Sequence, residues 1–143
     1  IIFGVYKFKR RPTKEIVEVK KVIPLEPAHI IAIRELASLK QDGLAQRGNI
    51  KGYYSRLTLI LRTYIEHQFG TQALEETSDQ IIRDLKALEI DPLLVSRFAT
   101  MLRLADLAKF AKATPSANEN ENSMLIAEQF VQETTPIQPS AGE

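Results

Sequence analysis

TSDQIIRDLKALEIDPLLVSRFATMLRLADLAKFAKATPSANE, residues 77–119, decides the fold, because it holds three separate helix starts in one unbroken stretch. The first is Thr77-Ser78-Asp79-Gln80, a capping-box spacing in which the threonine hydroxyl and the later glutamine amide satisfy each other's backbone amides. Ile81, Ile82, Leu85 and Leu88 follow at helical spacing and are expected to face inward. The second start is Asp91-Pro92: the carboxylate accepts open amides, and proline takes the first helical position, where its missing donor costs nothing. This helix is expected to run to about Lys112. Its apolar residues Leu94, Phe98, Met101, Leu102, Leu104, Ala105, Leu107, Ala108 and Phe110 wrap most of the circumference, which predicts the central, most buried helix of the molecule. Thr114-Pro115 then breaks the chain. Ser116-Ala117-Asn118-Glu119 is a second capping box, opening a helix that turns Met124, Ala127, Phe130 and Val131 inward.

Working outward, Asn49 caps a long helix with the stripe Ile50, Tyr53, Tyr54, Leu57, Ile60, Leu61, Tyr64 and Phe69, which Gly70 closes. The tyrosines on that stripe read as core residues with hydroxyls at the rim. Before it, Ile30, Ile33, Leu36, Ala37 and Leu39 or Lys40 predict a helix of about three turns between Pro27 and Gly43. The expected fold is therefore all-α, a compact bundle of about five helices over residues 27–134. A tail rich in proline and serine, residues 135–143, is expected to be disordered. No repeat of solenoid length is visible.

At 143 residues and 44% hydrophobic side chains, the chain is the size of one domain with a real core. Cysteine is absent and there are only two histidines, His29 and His67, so no thiolate metal site is expected. Net charge is +1, but it is unevenly spread. Residues 1–23 carry seven Lys/Arg against two Glu, and the rest carries twelve against sixteen acids, so the bundle is mildly acidic and a poor match for a phosphate backbone.

Residues 1–26 are a separate unit, divided from the bundle by Pro24 and Pro27. The apolar run IIFGVY turns abruptly into the basic cluster Lys7, Lys9, Arg10, Arg11 and Lys14, the pattern of the cytoplasmic end of a membrane helix followed by a basic linker. A span needs about 20 apolar residues, so on this reading most of it precedes Ile1. The other reading is a β-hairpin, because IIFGVYKF and EIVEVKKVI are β-prone and RRPTK between them suits a turn.

No GxxxxGK[ST], GxSxG, HExxH or DxDxDG pattern occurs, and the glycines are scattered singly. No catalytic residue, cofactor, metal or small-molecule substrate is expected. Glu66 and His67 are adjacent on a helix and so diverge by about 100°, which argues against an acid/base pair. Asp106 is the polar residue that stands out, enclosed by Leu104, Ala105, Leu107 and Ala108; Arg103, Lys109 and the more distant Arg62 are its candidate partners. A pairing of that kind fixes helix packing or marks a partner contact. The acids of Asn118–Asn122 read as a solvated first turn that complements the helix dipole.

RLADLAKFAKATPS, KGYYSRLTLILRTYIEHQFG and AEQFVQET together resemble the cytoplasmic C-terminal domain of BatD-like membrane proteins of Bacteroidetes, over about residues 27–135. The resemblance rests on helix order, the Phe69-Gly70 stop, the stretch from Ala105-Asp106-Leu107 to Lys109-Phe110-Ala111-Lys112, and the Pro115-Ser116 cap. It implies extracytoplasmic β-rich domains, one inner-membrane helix, a basic linker and then this bundle facing the cytoplasm. It also implies the Bat aerotolerance system, whose von Willebrand factor A domain proteins and MoxR-type ATPase would be the protein partners. It implies no catalytic residue. The expected function is a non-enzymatic interaction domain. The alternative is a nucleic-acid-binding regulator in which Ile81–Leu88 and Leu93–Leu107 form a helix-turn-helix.

Overall fold

The computed structural model describes residues 26–135. The membrane-stub and hairpin readings, the basic cluster Lys7 to Lys14 and most of the expected tail lie outside them. The described chain is all-helical, with α1 at Ala28–Asp42, α2 at Ile50–Phe69, α3 at Ser78–Ala87, α4 at Pro92–Phe110 and α5 at Ala117–Thr134. A single 3-10 turn, Ala73–Glu75, joins α2 to α3.

The local signals act as their chemistry requires. Thr77 and Ser116 each form both halves of a capping box, Asn49 accepts from Gly52 N, and Asp91 accepts from Leu93 N. Gly43 and Gly70 end α1 and α2 at φ 66 and 76, left-handed values at which a Cβ would crowd the following carbonyl. The end of α4 departs from this pattern. It stops at Phe110, and the residue that turns left-handed is Lys112, φ 58. Ala111 N and Ala113 N both donate to Leu107 O, which closes the helix with a lysine where glycine is usual.

α2 is the hub. It packs against α1, α4, α5 and the 3-10 turn, whereas α4 meets α2, α3 and α5. α5 also returns to α1, so α1, α2, α4 and α5 enclose one core, with the short α3 laid against α4. At its centre Phe98 stacks on Phe130 at 4.1 Å between ring centroids, and Tyr64 meets Phe130 edge-on at 6.2 Å. α4 buries as many of its residues as α2, but the expectation that it is the central helix is corrected, since α2 is the hub. One face of α4 is buried through Leu94, Phe98, Met101, Leu102 and Ala105, but Leu93, Leu107 and Phe110 are open to solvent because no helix among the described residues covers the opposite side.

The inward face of α1 keeps Leu36 and Leu39 of the expected stripe but differs at its start and at Ala37. Ala32, Leu36 and Leu39 are buried, Ile33 is half-buried, and Ile30 and Ala37 are exposed. The first turns of α5 differ more. Asn120 and Ser123 are buried, so the NENEN stretch is not uniformly solvated: it sends one amide into the core. The tyrosine stripe is core as expected, with Tyr53, Tyr54 and Tyr64 all buried, but the Tyr53 and Tyr54 hydroxyls turn to buried partners on α5 and not to the rim.

Candidate functional site

The polar chemistry inside the bundle lies between α2 and α5. Tyr54 OH donates to Asn120 Oδ1 at 2.8 Å and shares a 3.2 Å hydrogen bond with Ser123 Oγ, while Tyr53 OH donates to Asn120 O at 2.9 Å. Burial pushes the Tyr53 phenol up to about 12, with the neighbouring Tyr54 adding to the shift, and burial likewise raises Tyr54. Both stay neutral donors at physiological pH. Near the far end of the same interface, Tyr64 OH reaches Val131 O at 3.3 Å and Thr134 Oγ1 at 2.8 Å. These bonds fix the register of α5 on α2. The sequence carried a signal for them that its polarity hid: Asn120 and Ser123 continue the stripe of Met124, Ala127 and Val131 toward the N-terminus at helical spacing.

Asp106 is half-buried and, among the described residues, forms no ion pair with Arg103, Lys109 or Arg62. Arg103 is exposed. Arg62 instead donates to Ala73 O at 3.0 Å and to Glu76 O, tying down the 3-10 turn. Lys109 turns toward α2, where Nζ donates to Thr58 Oγ1 at 3.0 Å, and Thr58 in turn donates to Tyr54 O at 2.9 Å. Burial is the first cause that lowers the Lys109 ammonium's pKa, and Arg62 adds to it against the pull of Asp106. Lys109 is thus the member of the expected trio that bridges helices.

Glu66 and His67 are not brought together. Glu66 Oε1 accepts from Leu74 N at 3.1 Å, whereas His67 borders a groove between α1 and α2. No group of three or more metal-ligating side chains gathers among the described residues.

Two clefts lie at one end of the bundle, where the α1–α2 and α4–α5 loops meet. The first, about 410 Å³, runs between the α1–α2 loop and α5. Leu39, Tyr53 and Met124 supply apolar walls, Lys40, Gln46 and Glu121 a polar rim, and Leu125 stands beside it 61% exposed. Lys40 is held by Glu128 at 3.2 Å, so the charges on this rim are largely balanced. The second cleft, about 520 Å³, lies between the start of α2 and the end of α4, with Lys51, Lys109, Lys112 and Phe110 in its lining and no acid. An apolar floor with a polar rim suits a protein partner's side chains.

Against protein-family models, curated proteins and solved structures, the chain has no match. Among the described residues, no helix is long and apolar enough to cross a membrane.

Proposed function

We infer that this chain is the cytoplasmic interaction domain of a single-pass inner-membrane protein of the BatD-like kind, acting by binding rather than catalysis. The observation that carries the reading is the 410 Å³ cleft on α5: an apolar floor, a polar rim and a leucine, Leu125, left open beside it. An exposed leucine beside an apolar cleft gives a partner helix or loop a place to bury side chains. The abrupt change from IIFGVY to a basic run supplies the membrane part of the proposal, and the resemblance in RLADLAKFAKATPS supplies the aerotolerance context. Partners are then a von Willebrand factor A domain protein or a MoxR-type ATPase of such a system. The test is calorimetric titration of the full chain with each of these two proteins, purified. Binding that Leu125→Glu abolishes while the helical signal is unchanged supports the proposal. No binding to either protein sinks it.

A second reading has an observation of its own. α3 and α4 are joined by the short turn at residues 88–91, and the outward face of α4 carries exposed Ser96, Arg97, Thr100 and Arg103. That face is more polar than the helix as a whole, and it suits a helix-turn-helix reading a nucleic acid. Salt-dependent anisotropy of labelled duplex DNA, lost on replacing Arg97 and Arg103 by alanine, would favour this reading over the first.

A further inference from the structure

The second cleft gathers three lysines, each placed against a local rule. Lys51 sits in the first turn of α2, which has no acid there, so a cation meets the positive end of the helix dipole. Lys112 takes φ 58, a left-handed conformation that glycine adopts without strain. Lys109 keeps its ammonium half-buried at Thr58 with Arg62 nearby and no ion pair among the described residues. Between them Phe110 is 76% exposed, and Leu107, one turn earlier on α4, is 52% exposed. Isolated exceptions of this kind are common, but several converging on one concave site mark a place shaped for something other than folding. The sign of the charge is equally pointed. Residues 24–143 carry more acids than bases, yet the lining of this cleft holds three lysines and no carboxylate.

We propose that this cleft binds an acidic peptide segment of a partner protein, its carboxylates set against Lys51, Lys109 and Lys112 and an adjoining large apolar side chain against Phe110 and Leu107. Leu107 lies outside the cleft's lining, three residues before Phe110 and about 4.5 Å from it along α4, so the apolar surface runs on past the cleft, which suits an extended chain better than a compact anion. A stacked nucleotide base fits less well, because Lys109 Nζ already lies 5.1 Å from the Phe110 ring centroid and occupies one face of the ring. A flat bilayer would meet the rim and leave the cleft unfilled. This site is separate from the α5 cleft and does not depend on the partner assigned to it.

The probe is a fluorescein-labelled peptide of two glutamates, a leucine, a phenylalanine and two further glutamates, titrated with the full chain and followed by anisotropy. Controls replace its glutamates by glutamine, or its leucine and phenylalanine by alanine. Either control is expected to bind at least about tenfold more weakly, since each removes one half of the recognition. Lys51→Glu with Lys112→Glu should weaken the parent peptide by at least a similar, roughly tenfold, factor with the helical circular dichroism intact, because both side chains are exposed. Lys112→Gly separates binding from folding: the variant is expected to be more heat-resistant yet bind less tightly. Leu125→Glu should leave this peptide's affinity unchanged. The proposal is overturned if the parent peptide does not bind, or if either control binds as well. It is also overturned if phosphatidylserine vesicles bind through these lysines and the peptide does not. Self-association in sedimentation that Lys51→Glu abolishes would assign the cleft to a second copy of the chain instead.

Discussion

Tyr54 and Asn120 meet through a 2.8 Å hydrogen bond sealed from water, and each would strand the other if removed. Tyr54→Phe is expected to cost about 1–2 kcal/mol in urea unfolding, because Asn120 Oδ1 loses its buried donor. A double-mutant cycle with Asn120→Ala should return a clearly non-zero coupling. Additive losses would mean the bond does not hold α5 in register. Glu76 gives a residue-scale prediction of opposite sign. Its carboxyl is raised above the usual 4.5, first by burial and then by the neighbouring Asp84 carboxyl, and its Oε1 has no hydrogen-bond partner among the described residues. With the folded value above the unfolded one, this group's contribution to stability is fully present below the unfolded value and is lost as pH rises through the folded value. Asp84→Asn removes the like charge. It should raise the urea midpoint at pH values well above 4.5 and leave it nearly unchanged below, and a shift of equal size at both ends would remove the carboxyl pair as the cause.

At the scale of the element, what could be read in advance was what is local. Both capping boxes, Asp91-Pro92, Asn49 and the two glycine stops each involve atoms within a few residues, so sequence order alone specifies them. The end of α4 was misplaced by two residues because its left-handed position is a lysine, which carries no punctuation. Lys112→Gly should therefore stabilise the protein by about 1 kcal/mol, read as a rise in the thermal midpoint. A loss of stability would show that the lysine side chain contributes more than its backbone strain costs. Ser116→Ala should lower stability by about 1 kcal/mol, since it opens the box at the start of α5. Helix faces were harder to read than helix ends. α1 buries Ala32 where Ile30 was expected, and α4 leaves Leu107 and Phe110 open, because which face is covered depends on helices far away in sequence. The same distance hid Asn120, whose partners Tyr53 and Tyr54 lie 67 and 66 residues earlier. At the candidate site, the sequence pairs Lys109 with Asp106, a pairing that the fold does not form, because the lysine reaches across to Thr58 on α2 instead.

At the scale of the whole molecule, the described residues 26–135 close on one another around a single core. Its buried apolar side chains run from Ala32 to Val131, α5 returns to both α1 and α2, and the last anchor is Tyr64 OH, which reaches Thr134 Oγ1 and Thr135 Oγ1. Of the contacts at the start of the bundle, the Glu26–Arg34 pair is exposed and screened by solvent, so it adds little to stability. A fragment of residues 26–135 is thus expected to unfold in urea as a single cooperative transition, with a midpoint close to that of the full chain. Shortening it to end at residue 129 removes Phe130 and Val131, and with them the ring stacked at 4.1 Å on Phe98. Loss of a buried aromatic side chain alone costs about 3–5 kcal/mol, a large share of the stability of a domain this size. The shorter fragment should consequently lose its cooperative transition while keeping part of its helical signal, since the helix caps upstream are local. If the 26–135 fragment itself melts broadly, or binds a dye for exposed apolar surface, then residues outside it complete the core and the closed bundle is not an independent unit.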